Sequence, residues 1–121
     1  MSKILVIDDD VTIQRLVQYK LGQEGHTVLL AADGDTGYNL ATAEKPDLII
    51  SDVMMPAADG FQVLRRIKAD ESLKDVPVLL LTSKRKDKDI ETGLDLGAAD
   101  YMIKPFSPRE LLARVKKALT P

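Results

Sequence analysis

Five short aliphatic runs punctuate the chain, and apolar positions between them recur at helical spacing. The runs at 3–7, 27–31, 47–51, 77–81 and 100–103 predict strands. The first, third and fourth are almost unbroken, the pattern of strands covered on both faces. Helices are predicted near 11–23, 35–44, 59–70, 86–96 and 107–119. Ile13, Leu16, Val17 and Leu21 form one apolar stripe, and Leu111, Leu112, Val115, Ala118 and Leu119 form another. Asp10 and Ser107 stand where helices need N-caps, with Pro108 at the first helical position after Ser107. Gly25 and Gly97 stand where helices should stop. Regular alternation of strand and helix predicts an α/β domain: a parallel sheet, right-handed crossovers, helices on both faces.

Composition narrows this only a little. At 121 residues, 45% hydrophobic and 30% charged, the chain reads as one soluble domain spanning 1–121, with no repeat or linker and no effector domain. A net charge of -2 gives no general attraction to nucleic acid or anionic membrane. With no cysteine, disulfides, thiolate nucleophiles and Cys-ligated zinc are excluded. Met1-Ser2-Lys3-Ile4 enters the first strand at once, leaving no room for a signal peptide, and no apolar run approaches the ~20 residues of a membrane span. The expectation is a cytoplasmic protein.

The chemistry lies at the strand ends. Asp8-Asp9 follow the first strand and Asp52 follows the third. In an open parallel sheet these ends share the edge where ligands bind. Carboxylates gathered there repel one another, and an oxygen-only set suits Mg²⁺. An aspartate beside such an ion can act as a nucleophile toward phosphorus. Thr82-Ser83 and Lys104-Pro105 end the fourth and fifth strands, adding hydroxyls and an ammonium to the same edge. Taken singly, each has a plainer role: an N-cap for each Asp, a cap for Thr82, a surface lysine for Lys104, a half-buried strand residue for Tyr101. Together they form a set suited to phosphoryl transfer.

The residues Asp8-Asp9, Asp52, Met55-Pro56-Ala57-Ala58-Asp59-Gly60, Thr82-Ser83, Gly97-Ala98-Ala99-Asp100-Tyr101 and Lys104-Pro105-Phe106 occur in an order that closely resembles the receiver domain of two-component response regulators. The resemblance covers the whole chain. It implies a flavodoxin-like, doubly wound sheet of order 2-1-3-4-5. It implies that Asp52 is the phosphoacceptor, that Asp9 and Asp52 bind Mg²⁺ (or Mn²⁺ as substitute) directly, that Asp8 acts mostly through water, and that the Met54 backbone carbonyl completes the ligands. Lys104 would contact the phosphoryl group through a strand that ends in a cis Lys104-Pro105 bond. Thr82 and Tyr101 would form a switch read on the fourth helix, fifth strand and fifth helix. The implied partners are a sensor histidine kinase or histidine phosphotransfer protein and a downstream effector. The family carries signals and is not normally classed as enzymes. Gly93, inside the fourth helix, costs ~1 kcal/mol relative to Ala, and the apolar stripe there is thin, mainly Ile90 and Leu94. A weakly anchored helix beside Thr82 suits a switch.

Other readings have less support. A haloacid-dehalogenase-like phosphatase wants a second acid two residues after its nucleophile, where Asp52 is followed by Val53 and Met54. No glycine-rich nucleotide motif is present. Within the family, a stand-alone receiver competes with the excised receiver of a DNA-binding regulator. Ser107-Pro108-Arg109-Glu110-Leu111 and Arg114 resemble the winged-helix branch, but Ala99 and Ile90 stand where that branch carries an acid and a base. A monomer or weak, phosphorylation-dependent homodimer is expected, with no direct nucleic-acid or membrane contact. His26 is expected to be an ordinary surface residue at a helix-to-strand turn.

Overall fold

A computed structural model describes residues 1–53, 60–82 and 87–120, with only the backbone described for Gly60 and 87–89. The strands are β1 (Lys3–Ile7), β2 (Thr27–Ala31), β3 (Leu48–Asp52), β4 (Val78–Thr82) and β5 (Asp100–Ile103). They alternate with α1 (Val11–Gln23), α2 (Gly34–Glu44), α3 (Gly60–Ala69), α4 (Asp87–Asp95) and α5 (Pro108–Leu119). All pairings are parallel, in the order β2-β1-β3-β4-β5.

Alternate strand residues feed two cores. Ile4, Val6, Leu48, Ile50, Leu79 and Leu81 pack with Val17 and Leu21 of α1 and Leu111 and Val115 of α5. Leu5, Ile7, Ile49, Val78 and Leu80 pack with Ala41 of α2 and Val63, Leu64 and Ile67 of α3. The caps fall where the sequence places them. The Asp10 carboxylate accepts from the Thr12 and Ile13 amides, and the Ser107 hydroxyl accepts from the Glu110 amide. Gly25 and Gly97 take left-handed φ angles of 88° and 105° after α1 and α4.

Two strands run one residue later than the sequence pattern suggests. Asp47 stands just before β3, beside the start of β1, its carboxylate accepting from the Lys3 amide at 2.8 Å. Pro77 has no N–H to give the ladder, so only its carbonyl joins, accepting from Ile49. At their other ends the strands run through Asp52 and Thr82, which puts both residues within regular β structure.

Helix α4 corrects a second expectation. Leu94 is 44% exposed and anchors little. Gly93 is buried instead, and a Cβ there would stand 2.5 Å from Leu80 Cδ1. The glycine thus lets α4 approach β4 closely and is not merely a weak point in the helix. His26 is half-buried, not a plain surface residue, and its Nδ1 accepts from the Ser2 amide at 3.2 Å.

Candidate functional site

Continuation of the ladder brings the strand ends to one edge. The Asp8 amide donates to Ala31 at 3.0 Å, Val53 to Leu81 at 2.8 Å, and Lys104 to Thr82 at 2.7 Å. The edge thereby collects Asp8, Asp9, Asp52, Thr82 and Lys104. One carboxylate oxygen from each of Asp8, Asp9 and Asp52 lies within 4.8 Å of the others. Asp8 and Asp52 are buried, and Asp9 is exposed.

Three successive aspartates do three different jobs here. Asp10 is occupied by the α1 cap. Asp8 is fully buried: one oxygen accepts from the Asp10 amide at 2.9 Å and the other from the Lys104 ammonium at 2.7 Å. Its backbone carbonyl accepts from the Gln14 side chain at 2.6 Å. Asp9 faces solvent between them, the easiest of the three for an incoming cation to reach.

Lys104 also donates to Asp52 at 3.3 Å, so one ammonium serves two buried carboxylates. Burial disfavours its charge, but the Asp8 carboxylate, and then Asp52, more than offset this and hold its pKa above the ordinary 10.5. Three carboxylates and one ammonium leave the cluster anionic. An oxygen-only set of this charge fits a hard divalent cation such as Mg²⁺, and both oxygens of Asp8 are already committed, to the Asp10 amide and to Lys104. Met54 lies outside the described residues, as do Ser83 and the segment 55–59.

Thr82, the last residue of β4, is buried. Tyr101 is half-buried on β5. With Val53, Leu80 and Ile90 these two line an apolar cavity of about 10 Å³. The Lys104-Pro105 bond is cis. A wider concavity, about 440 Å³, lies elsewhere, lined by Ser2, Glu24, His26, Leu112, Val115 and Leu119 among others. Convergent charge, not volume, marks the reactive edge. Sequence reasoning missed one cluster: Arg114 on α5 pairs with both Asp100 and Glu110, and its centre lies 5.7 Å from the Tyr101 ring centroid. The Glu110/Arg114 spacing of one helical turn was the available signal.

The sequence profile of the response regulator receiver domain matches residues 4–116. The chain is 48% identical over 118 residues to the alkaline phosphatase synthesis transcriptional regulatory protein PhoP of Bacillus subtilis, covering 98% of this chain and 48% of that protein. It is 46% identical over 119 residues to the DNA-binding dual master transcriptional regulator RpaA of Synechocystis, covering 98% and 49%. The chain therefore spans about half the length of these curated relatives. Among solved structures, chemotaxis protein CheY4 of Vibrio cholerae superposes with a TM-score of 0.94 at 34% identity, covering 98% of this chain and 99% of that one.

Proposed function

The chain belongs to the response regulator receiver family, and on that premise we propose that Asp52 is its phosphoacceptor. The observation that carries this reading is convergence: Lys104 and two further acids surround the buried Asp52 carboxylate at the carboxyl edge of the sheet. An Asp52 oxygen attacks the phosphorus of a phosphohistidine on a partner kinase or phosphotransfer protein. A P–O bond forms, the P–N bond breaks, and the imidazole leaves. Lys104 pairs with the arriving phosphoryl oxygens and gives up part of its hold on Asp52. A Mg²⁺ held by Asp9, Asp52 and the Met54 carbonyl, with Asp8 acting through water, would neutralise charge on the phosphoryl group. Attack by water later returns Asp52 and inorganic phosphate.

Signal output follows from a population shift. Thr82 turns toward the phosphoryl group and vacates the wall it shares with Tyr101. The cavity between them, about 10 Å³, is too small for a ring to enter while Thr82 fills that wall. Movement of Thr82 thus permits Tyr101 to pack inward, and the face of α4, β5 and α5 changes for the effector to read.

Identity to transcriptional regulators of twice this length favours a second reading of the output: the switch controls a DNA-binding effector.

The test is intact mass after incubation with acetyl phosphate and Mg²⁺. A gain of one phosphoryl group, absent with EDTA and in Asp52→Asn, is expected. Equal uptake by Asp52→Asn sinks the assignment. Gel filtration of the same samples reports the change in oligomeric state.

A further inference from the structure

The proposed switch leaves one cluster unexplained. Arg114 Nη1 donates to both oxygens of Asp100, at 2.9 and 3.0 Å, and its Nε donates to Glu110 at 3.1 Å. The same Asp100 carboxylate accepts from the backbone amide of Tyr101 at 2.8 Å. One carboxylate therefore fixes both the start of the Tyr101 residue and the guanidinium that lies 5.7 Å from the Tyr101 ring centroid. A forked, planar cation held by two acids keeps its place whichever way a neighbouring ring turns.

Tyr101 thus stands between two different environments. Toward α5 is a fixed cation. Toward α4 is the apolar cavity walled by Val53, Leu80, Thr82 and Ile90. The ring face attracts the guanidinium, so a ring turned toward α5 keeps that contact, and a ring packed under α4 surrenders it. Asp100 and Glu110 do not relax to compensate, because their pairs to Arg114 involve neither state of the ring.

We propose that Arg114, clamped by Asp100 and Glu110, is a positioning residue that holds the Tyr101 ring toward α5 and so restrains the switch while no phosphoryl group is present. This rests on the reading of Tyr101 as the switch residue. The resting inward population is set by two opposed terms, the cation on one side and the space that Thr82 leaves on the other. Loss of the cation raises the inward to outward ratio about two- to fivefold, the size of one partly exposed cation–π contact.

The experiment labels the full chain with 3-fluorotyrosine and assigns the Tyr101 signal with Tyr101→Phe, since Tyr19 and Tyr38 are also present. The ¹⁹F solvent isotope shift between H₂O and D₂O, read without phosphodonor, reports how exposed the ring is. Arg114→Met keeps the length and removes the charge. Its Tyr101 signal is expected to show a smaller isotope shift than wild type and to move toward the position seen after phosphorylation. Arg114→Lys, which keeps a cation but loses the fork, should fall between, and Glu110→Gln should move the signal least. A brace between strand and helix alone would lower the unfolding midpoint and leave ring exposure where it was. An unmoved Tyr101 signal in folded Arg114→Met overturns the proposal; if that variant does not fold, an unmoved signal in Arg114→Lys does so. The underlying reading fails separately, when wild type gains the phosphoryl mass and its own Tyr101 signal stays still.

Discussion

Helices α2 and α4 pack on the same face of the sheet, both through a buried glycine, yet they are held very differently. Gly37 seats α2 against Ile7, where a Cβ would stand 2.4 Å from Cδ1 and 2.7 Å from Cγ1. Outside that contact, polar ties lock α2 in place. The Tyr38 hydroxyl donates to Asp70 at 2.7 Å, Arg66 lies 4.0 Å over the Tyr38 ring, and Arg66 also reaches Asp35 at 2.8 Å. Gly93 seats α4 against the flexible end of Leu80, beside an exposed Leu94 and a residual cavity. The difference has a direction. Helix α2 backs the strand that delivers Asp8 and Asp9, which in the proposed function hold a cation site in place. Helix α4 backs the strand that ends in Thr82, the residue that moves in the proposed switch.

The comparison breaks most readily at the two glycines. Gly37→Ala should be the costlier change, because the new methyl meets the branched stem of Ile7. About 1–3 kcal/mol of stability should be lost in chemical denaturation. A neutral Gly37→Ala would mean that α2 is no better seated than α4.

Next in size comes the polar tie. The hydrogen bond to Asp70 and then burial hold the Tyr38 hydroxyl above its ordinary 10.0. Hydrogen bonds from the Ser72 and Tyr38 hydroxyls hold Asp70 below its ordinary 3.8. The raised group stabilises the fold below its unfolded value and loses that contribution as pH rises through the folded one. The depressed group stabilises above its unfolded value and loses its contribution as pH falls through the folded one. The network is therefore intact across the neutral range and erodes at both ends. Tyr38→Phe should lower the denaturation midpoint near neutral pH and remove the Tyr38 part of the alkaline loss. An unchanged alkaline limb would show that the tie contributes nothing.

Gly93→Ala should have the smallest effect on stability. A helix gain of ~1 kcal/mol opposes the displacement of Leu80 Cδ1, a side-chain end that can turn aside. The net change should be smaller than for Gly37→Ala when both are measured side by side. A larger loss would make α4 the rigid helix and reverse the comparison.

Much of this was legible in the sequence because it depends on local spacing. Five aliphatic runs and the residues just after them placed Asp8, Asp9, Asp52, Thr82 and Lys104 on one edge before any coordinates. Asp10 and Ser107 were readable as caps because capping is a local hydrogen bond. What failed was long-range. Gly93 looked like a weakness, since propensity says nothing of Leu80 across the helix–sheet gap. Leu94 looked like an anchor, since a stripe two residues wide does not fix a helix's rotation. Asp8 and Lys104 are 96 residues apart, and nothing local says that their side chains pair.

Hydrogen exchange on the protein with and without acetyl phosphate and Mg²⁺ tests the central claim most directly, that one edge is read by a movable α4 side against a fixed α2 side. Phosphorylation should change exchange in peptides covering α4, β5 and α5 and leave those covering α2 as they were. Unchanged exchange over α4 in a protein that has gained the phosphoryl mass, or an equal change over α2, would contradict it.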